Sequence, residues 1–250
     1  MKIVFLTAIG VGSATAVGGL IGFILKGKTL KFSNLIMSFS AGIMLAASFF
    51  GLIVPAIGGG SMAEGITLAL GVLCGAAIIP IAGKIGFNLR KKQNDPCAKS
   101  TEIEKSLLFV IALAIHNLPE GIAAGVGFAA DDIAGAFVIA GAVALQNIPE
   151  GMIVIPPLLA AGISPRKSLF YAVLTGVTEV IGVVLGYYFA SVFESLLPVA
   201  LSLAAGAMIF VSAEGAGGGA QTKNETVCRM SLVVGFSLMT FLNFLIGCII

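Results

Sequence analysis

The segment IHNLPEG occupies residues 115–121, and LQNIPEG follows at 145–151. Both lie inside runs otherwise built from Ala, Val, Ile, Leu, Gly and Phe. Each puts an amide, a glutamate and a proline into the most apolar parts of the chain, and the first adds an imidazole. Their meaning depends on what surrounds them.

The chain of 250 residues is 58% hydrophobic and only 10% charged, with 33 glycines and a mean hydropathy of +1.09. A soluble domain carries about 25% charged residues, so a soluble core is excluded and the chain reads as an integral membrane protein. An outer-membrane barrel would alternate apolar and polar positions over about ten residues. Here the apolar blocks run about 20 residues or more, the length an α-helix needs to cross hydrocarbon. Eight such blocks are visible: Ile3–Leu25, Leu35–Ile57, Ile66–Leu89, Leu107–Ala129, Ala134–Ala160, Leu169–Val192, Pro198–Gly219 and Met230–Ile250. The only substantial linker is the polar stretch RKKQNDPCAKSTEIEKS at 90–106. The expected fold is therefore all-α and polytopic, with eight transmembrane helices in one membrane domain over 1–250. Helices 1–3 fall at 3–89 and helices 4–8 at 107–250. The first block lacks a distinct cleavage site and reads as a retained helix. Cys74, Cys97, Cys228 and Cys248 show no CxxC spacing, and for the three in or beside apolar runs small buried thiols are the expected reading.

Basic residues fix an orientation. Lys26, Lys28 and Lys31 follow the first block; Lys84, Arg90, Lys91, Lys92, Lys99 and Lys105 end or follow the third. Arg166 and Lys167 follow the fifth, and Lys223 and Arg229 the seventh, which leaves only Lys2. The opposite side carries Glu64, Asp131, Asp132 and Glu194. The positive-inside rule then places these four connections, the 90–106 linker among them, in the cytoplasm and both termini outside. With no tryptophan, interfacial anchoring falls to three tyrosines and to Lys and Arg. A net charge of +2 gives no reason to expect a nucleic-acid partner; the expected surroundings are a lipid bilayer.

Four acids remain within the apolar blocks: Glu120, Glu150, Glu179 and Glu214. No basic residue lies at comparable depth. A lone carboxylate at mid-bilayer costs several kcal/mol, so it must be protonated, solvated or bound to a cation. At about 100° per residue, His116 and Glu120 stand about 40° apart around helix 4, and Asn117 lies about 60° beyond Glu120. Glu120 thus sits between them, and helix 5 repeats the order with Gln146, Asn147 and Glu150. If the two faces meet, the glutamates bridge two adjacent cation sites. His116, Glu120, Gln146 and Glu150 make the first; Asn117, Asn147 and the same glutamates make the second. Pro119 and Pro149 cannot donate to the carbonyls of Ile115 and Leu145, which is tolerated where a helix lines a buried or wet path. Gly121 and Gly151 permit close helix approach. One imidazole with carboxylates and amides, and no thiolate, suits Zn²⁺, Fe²⁺, Mn²⁺, Co²⁺ or Cd²⁺. Amide ligands weaken binding, which fits a path an ion must also leave.

HNLPEG followed by QNIPEG resembles the paired signature of the ZIP (Zrt/Irt-like) family of divalent-metal transporters, and the Gln of the second copy is similar to its GufA-type branch. GVTEVIG at 176–182 resembles the family's helix 6 and GAMIFVSAEGAGG at 206–218 its helix 7. The resemblance implies uptake of a divalent metal into the cytoplasm by a homodimer in the plasma membrane, a bacterial inner membrane. It implies an elevator-like alternating-access cycle in which helices 1, 4, 5 and 6 move against helices 2, 3, 7 and 8. It also implies that the metal is substrate and no cofactor is needed. By motif position His116, Glu120, Gln146 and Glu150 fall in the first metal site. Asn117, Asn147 and Glu179 fall in the second with the shared glutamates, and Glu214 falls on the pathway. The chain departs from relatives at four places. Asn147 stands where some have Asp, Gly215 where a second acid often follows the helix 7 Glu, and Asn243 where an acid in helix 8 helps the metal in. The 90–106 linker has no histidine.

Two other functions compete. A proton- or Na⁺-coupled carrier of a small organic solute would use the glutamates as coupling sites, but has no need of His, Gln and two Asn at ligand spacing. An intramembrane metalloprotease needs HExxH or an equivalent cluster with at least two histidines; this chain has one, so no enzyme is expected.

Overall fold

Each apolar block becomes a helix in the computed structural model, which describes residues 1–26, 33–57, 61–91, 98–129, 133–220 and 225–247. The helices are α1 (Lys2–Ile24), α2 (Ser33–Ala47), α3 (Met62–Lys91), α4 (Ala98–Ala129), α5 (Ile133–Ala160), α6 (Pro165–Tyr188), α7 (Ala190–Ala220) and α8 (Glu225–Gly247). After Ala47, α2 runs on through a π-helical turn, Ser48–Ile53, and a last turn, Val54–Ala56. Among the described residues eight helices are long and apolar enough to cross a membrane, and no strand occurs. Lys28, Lys31, Lys92, Cys97, Asp131, Asp132, Lys223 and Cys248 lie outside the described residues.

Local chemistry explains several helix ends. At the start of α3, the Ser61 backbone N–H donates to Glu64 Oε2 at 3.0 Å and the Glu64 N–H donates to Ser61 Oγ at 3.2 Å. This reciprocal pair satisfies two donors that a helix start leaves bare. Helix α5 ends where Gly162 takes φ +84°. There the N–H of Gly162 reaches the Leu159 carbonyl and that of Ile163 reaches the Leu158 carbonyl, at 3.0 and 2.9 Å. A left-handed residue closing those two bonds is a common helix stop, and glycine adopts it without strain. Pro165 then opens α6, where its missing N–H costs nothing.

Two starts lie well before their apolar blocks. Helix α4 begins at Ala98 rather than Leu107, because the polar residues before the block include good helix formers. Glu102 and Lys105 pair there at 3.0 Å across one exposed turn. Helix α7 begins at Ala190 and runs straight through Pro198. Burial of Leu201, Ala204, Ala205 and Met208 just beyond holds that helix against the lost hydrogen bond.

The helices fall into two groups by contact. In one, α4 lies along α6, and α1 lies along both α5 and α6; in the other, α2 lies along α8 and α3 along α7. The groups meet mainly where α4 touches α7 and α2 touches α5. Met44 of α2, Leu113 of α4, Val154 and Leu158 of α5 and Met208 of α7 share one buried cluster at this meeting. A second cluster, with Val11, Ala124, Phe128, Ala140 and Val183, lies wholly within the first group. Large apolar side chains on α3 and α8, such as Leu70, Leu73, Phe241 and Phe244, point outward, as lipid-facing helices require.

Candidate metal centre

The two motif copies sit on α4 and α5, and their last residue decides which neighbours come close. A Cβ on Gly121 would collide with the Glu179 carbonyl and with Cα of Gly182, both on α6. A Cβ on Gly151 would collide with the Thr15 carbonyl and the Gly19 nitrogen, both on α1. The motif glycines therefore bring α6 against α4 and α1 against α5, which fulfils the sequence expectation of close approach.

This closure buries the imidazole, the amides and the carboxylates of both motif copies, and Glu179 with them. His116, Asn117, Asn147, Glu150 and Glu179 are 0% exposed, Glu120 is 2% and Gln146 is 5%. With so little of their surface exposed, the carboxylates depend on their neighbours more than on bulk water.

The first group of contacts crosses between the copies. His116 Nε2 of α4 lies 3.3 Å from Glu150 Oε2 of α5, and Gln146 Nε2 of α5 donates to Glu120 Oε2 of α4 at 2.6 Å. Ligand atoms of His116, Glu120 and Glu150 all lie within 4.8 Å of one another. Bonds of about 2.0–2.2 Å to a shared tetrahedral ion set ligand atoms about 3.5 Å apart, so modest side-chain rotation closes that set around a cation.

The second group reaches outside the motif copies. Asn147 Nδ2 donates to Glu179 Oε2 at 2.7 Å and to the Val11 carbonyl of α1 at 3.3 Å. Asn117 Nδ2 donates to the Thr175 carbonyl of α6 at 3.3 Å. Thr15 of α1 places its hydroxyl 3.3 and 3.2 Å from the two Glu179 oxygens. With their nitrogens engaged, both amides leave Oδ1 unused.

Those oxygens are part of a pattern. Asn117 Oδ1, Asn147 Oδ1, Glu120 Oε1 and Glu150 Oε1 are buried with no hydrogen-bond partner among the described residues. An orphaned buried acceptor costs about 1–3 kcal/mol. No described Lys or Arg forms an ion pair with these glutamates. Oxygen acceptors gathered around one imidazole, without a donor to satisfy them, have the chemistry of a divalent-cation site.

The structure brings His116, Asn117, Glu120, Gln146, Asn147, Glu150 and Glu179 into this buried region and leaves Glu214 out. Glu214 is exposed toward the end of α7. Asn243 of α8 is half-buried, donates to the Met239 carbonyl at 3.0 Å, and lines a cavity of about 300 Å³. That cavity reaches Glu120 and Gln146, with Phe50 and Pro55 of α2 and Leu201 of α7 among its walls. Thr15 was not singled out by sequence. Its signal is the stripe Gly12, Thr15, Gly19 and Gly22, buried at helical spacing along α1.

Comparison with known proteins points the same way. A family model described as "ZIP Zinc transporter" matches residues 88–243. The chain is 33% identical to the zinc transporter ZIPB of Bordetella bronchiseptica over 246 residues, covering 94% of this chain and 78% of that protein. It is 30% identical to the zinc transporter GufA of Myxococcus xanthus over 206 residues, 80% of this chain and 81% of the relative. Against the zinc transporter ZIP11 of Homo sapiens the identity is 26% over 321 residues, 93% of this chain and 94% of the relative.

Proposed function

The chain belongs to the ZIP zinc transporter family, and from that premise we propose that it carries a divalent transition metal, zinc foremost, into the cytoplasm through the buried centre between α4, α5 and α6. The observation that carries this reading is the set of partnerless buried oxygens on Glu120, Glu150, Asn117 and Asn147 beside His116. Fe²⁺, Mn²⁺, Co²⁺ and Cd²⁺ share the ligand preferences and are further candidate substrates. His116, Glu120, Gln146 and Glu150 take the ion at the first site. Asn117, Asn147 and Glu179 take it at the second, with Glu120 and Glu150 shared between the two.

The whole chain, 1–250, works as one ZIP-type domain in a plasma membrane, a bacterial inner membrane, with both termini outside. In that orientation the cavity lined by Asn243 lies on the outer side, because it is walled by the C-terminal ends of α2 and α8 and the N-terminal halves of α5 and α7. It gives a metal a way in from outside to Glu120 and Gln146, and Glu214 lies toward the cytoplasmic end. The separation into α1, α4, α5, α6 and α2, α3, α7, α8 supports an elevator-like cycle. In it the first group, holding the metal, slides against the second within a homodimer.

Uptake into proteoliposomes tests the function. The full chain should accumulate radioactive zinc, with Mn²⁺ and Cd²⁺ competing, while pH gradient and voltage are varied separately. Accumulation of an organic solute driven by protons or Na⁺, with no metal uptake under any gradient, would replace this reading with the coupled-carrier one.

A further inference from the structure

Helix α1 carries none of the motif residues, yet it touches the second group twice. The Val11 carbonyl accepts from Asn147 at 3.3 Å, and one turn later the Thr15 hydroxyl meets Glu179. One helix face thus offers an acceptor to the amide and a donor to the carboxylate. We infer that Thr15 is a positioning residue for the second metal site: its buried hydroxyl holds the Glu179 carboxylate in the orientation from which it reaches a dication. Helix α1 thereby sets that site's affinity without touching the metal. The inference rests on the metal reading above.

Three features carry it. First, Thr15 has no freedom to turn away. It is 0% exposed, its carbonyl is pressed against Gly151, and a Cβ on Gly176 would come within 3.2 Å of its own Cβ. A β-branched side chain is stiff about χ1 in a helix, so the hydroxyl stays where α5 and α6 hold it. Second, the donors on Glu179 do not exhaust it. A carboxylate has about four lone-pair positions; the Thr15 hydroxyl has one proton and Asn147 supplies one N–H at 2.7 Å. Acceptor capacity remains for a metal while the carboxylate plane is fixed. Third, the same contacts orient Asn147. Its nitrogen is drawn to Val11 and Glu179, which leaves Oδ1 as one of the partnerless buried oxygens. Groups that orient a metal's ligands commonly govern affinity about 10–100-fold, and Thr15 stands in that relation to Glu179.

The test is calorimetric titration of the purified full chain with Zn²⁺ and with Cd²⁺. Thr15→Val keeps the shape and removes the hydroxyl; Thr15→Ala removes it without an added methyl; Thr15→Ser retains it. Val and Ala should each weaken the second binding event by about tenfold or more. The first event should weaken clearly less than the second, because Thr15 touches neither His116 nor Gln146 and the two sites are linked only through the shared glutamates. Ser should restore the second event. In a Glu179→Gln background, Thr15→Val should add nothing further, because the group it positions is gone. Second-site binding as tight in both Val and Ala as in the wild type would overturn the inference. So would a Ser variant as weak as Val, or an undiminished Val effect beside Glu179→Gln. If the wild-type protein binds neither ion, the metal reading falls and this inference falls with it. If the wild type binds both ions and the Thr15 variants match it, only the inference about Thr15 falls.

Discussion

The two halves of the buried centre are built from different resources. In the half containing His116 and Gln146, both side-chain hydrogen bonds run between the two motif copies: His116 to Glu150 and Gln146 to Glu120. In the half containing Asn117 and Asn147, the amides turn outward to α1 and α6, meeting the Val11 and Thr175 carbonyls and Glu179. The first half is self-contained and holds the only imidazole. The second is made of neutral amides and one carboxylate whose partners come from distant parts of the chain. A ligand set confined to two helices stays intact when other helices move; one that borrows from α1 and α6 depends on their seating. The shared glutamates join the halves, so changes in the molecule should sort by which half they touch.

The largest effect falls where the halves overlap. Glu120→Ala and Glu150→Ala each remove a carboxylate from both proposed sites, so zinc uptake should fall beyond the roughly 10–100-fold that loss of an outer partner costs. Asn147→Ala removes one neutral ligand from one site and should cost only several-fold. Equal losses in all three, measured as initial uptake rates at matched protein levels, would break the bridged arrangement.

His116→Ala touches only the first half. Imidazole suits zinc better than manganese, so the variant should lose about tenfold in zinc affinity and clearly less for manganese. Competition binding on purified protein reads this directly. An unchanged ranking of the two metals would put His116 outside the coordination shell.

Asn147→Asp touches only the second half and should have the smallest effect on transport. The new carboxylate would replace an amide that now donates to Glu179 at 2.7 Å and to the Val11 carbonyl. Without metal, two acids and a carbonyl face one another, so the apo protein should melt at a lower temperature. With metal, the second site should bind more tightly, and the rise in melting temperature on adding zinc should exceed that of the wild type. Maximal flux should be equal or lower, since a deeper well slows release. A variant that melts like the wild type with and without zinc would mean that Asn147 does not face a cation.

The same contrast explains what could be read from the sequence. Eight helices were legible because hydrocarbon demands long apolar segments, and few soluble chains imitate them. The first half was legible because His116 and Glu120 stand one turn apart on one helix and the pattern recurs. In the second half Asn117, Asn147 and Glu179 were legible too, but the groups they meet on α1 and α6 were not. Thr15 and Glu179 are 164 residues apart, and the carbonyls of Val11 and Thr175 belong to residues whose side chains say nothing about the contact. Helices also run beyond their apolar blocks where polar residues keep a helix going, as at Ala98, or where a proline lies inside one, as at Pro198. The π-helical turn at Ser48–Ile53 has no sequence signature, although Phe50 and Leu52 within it wall the cavity that reaches Glu120.

In the proposed centre two glutamates, one from each motif copy, hold two cations between them. Anomalous X-ray diffraction from crystals of the full chain grown with Cd²⁺ or Zn²⁺ tests it most directly. Two anomalous peaks are expected, each contacted by carboxylate oxygens of both Glu120 and Glu150. His116 and Gln146 should flank one peak, and Asn117, Asn147 and Glu179 the other. A peak lying away from both glutamates, or two peaks that share neither of them, would contradict it.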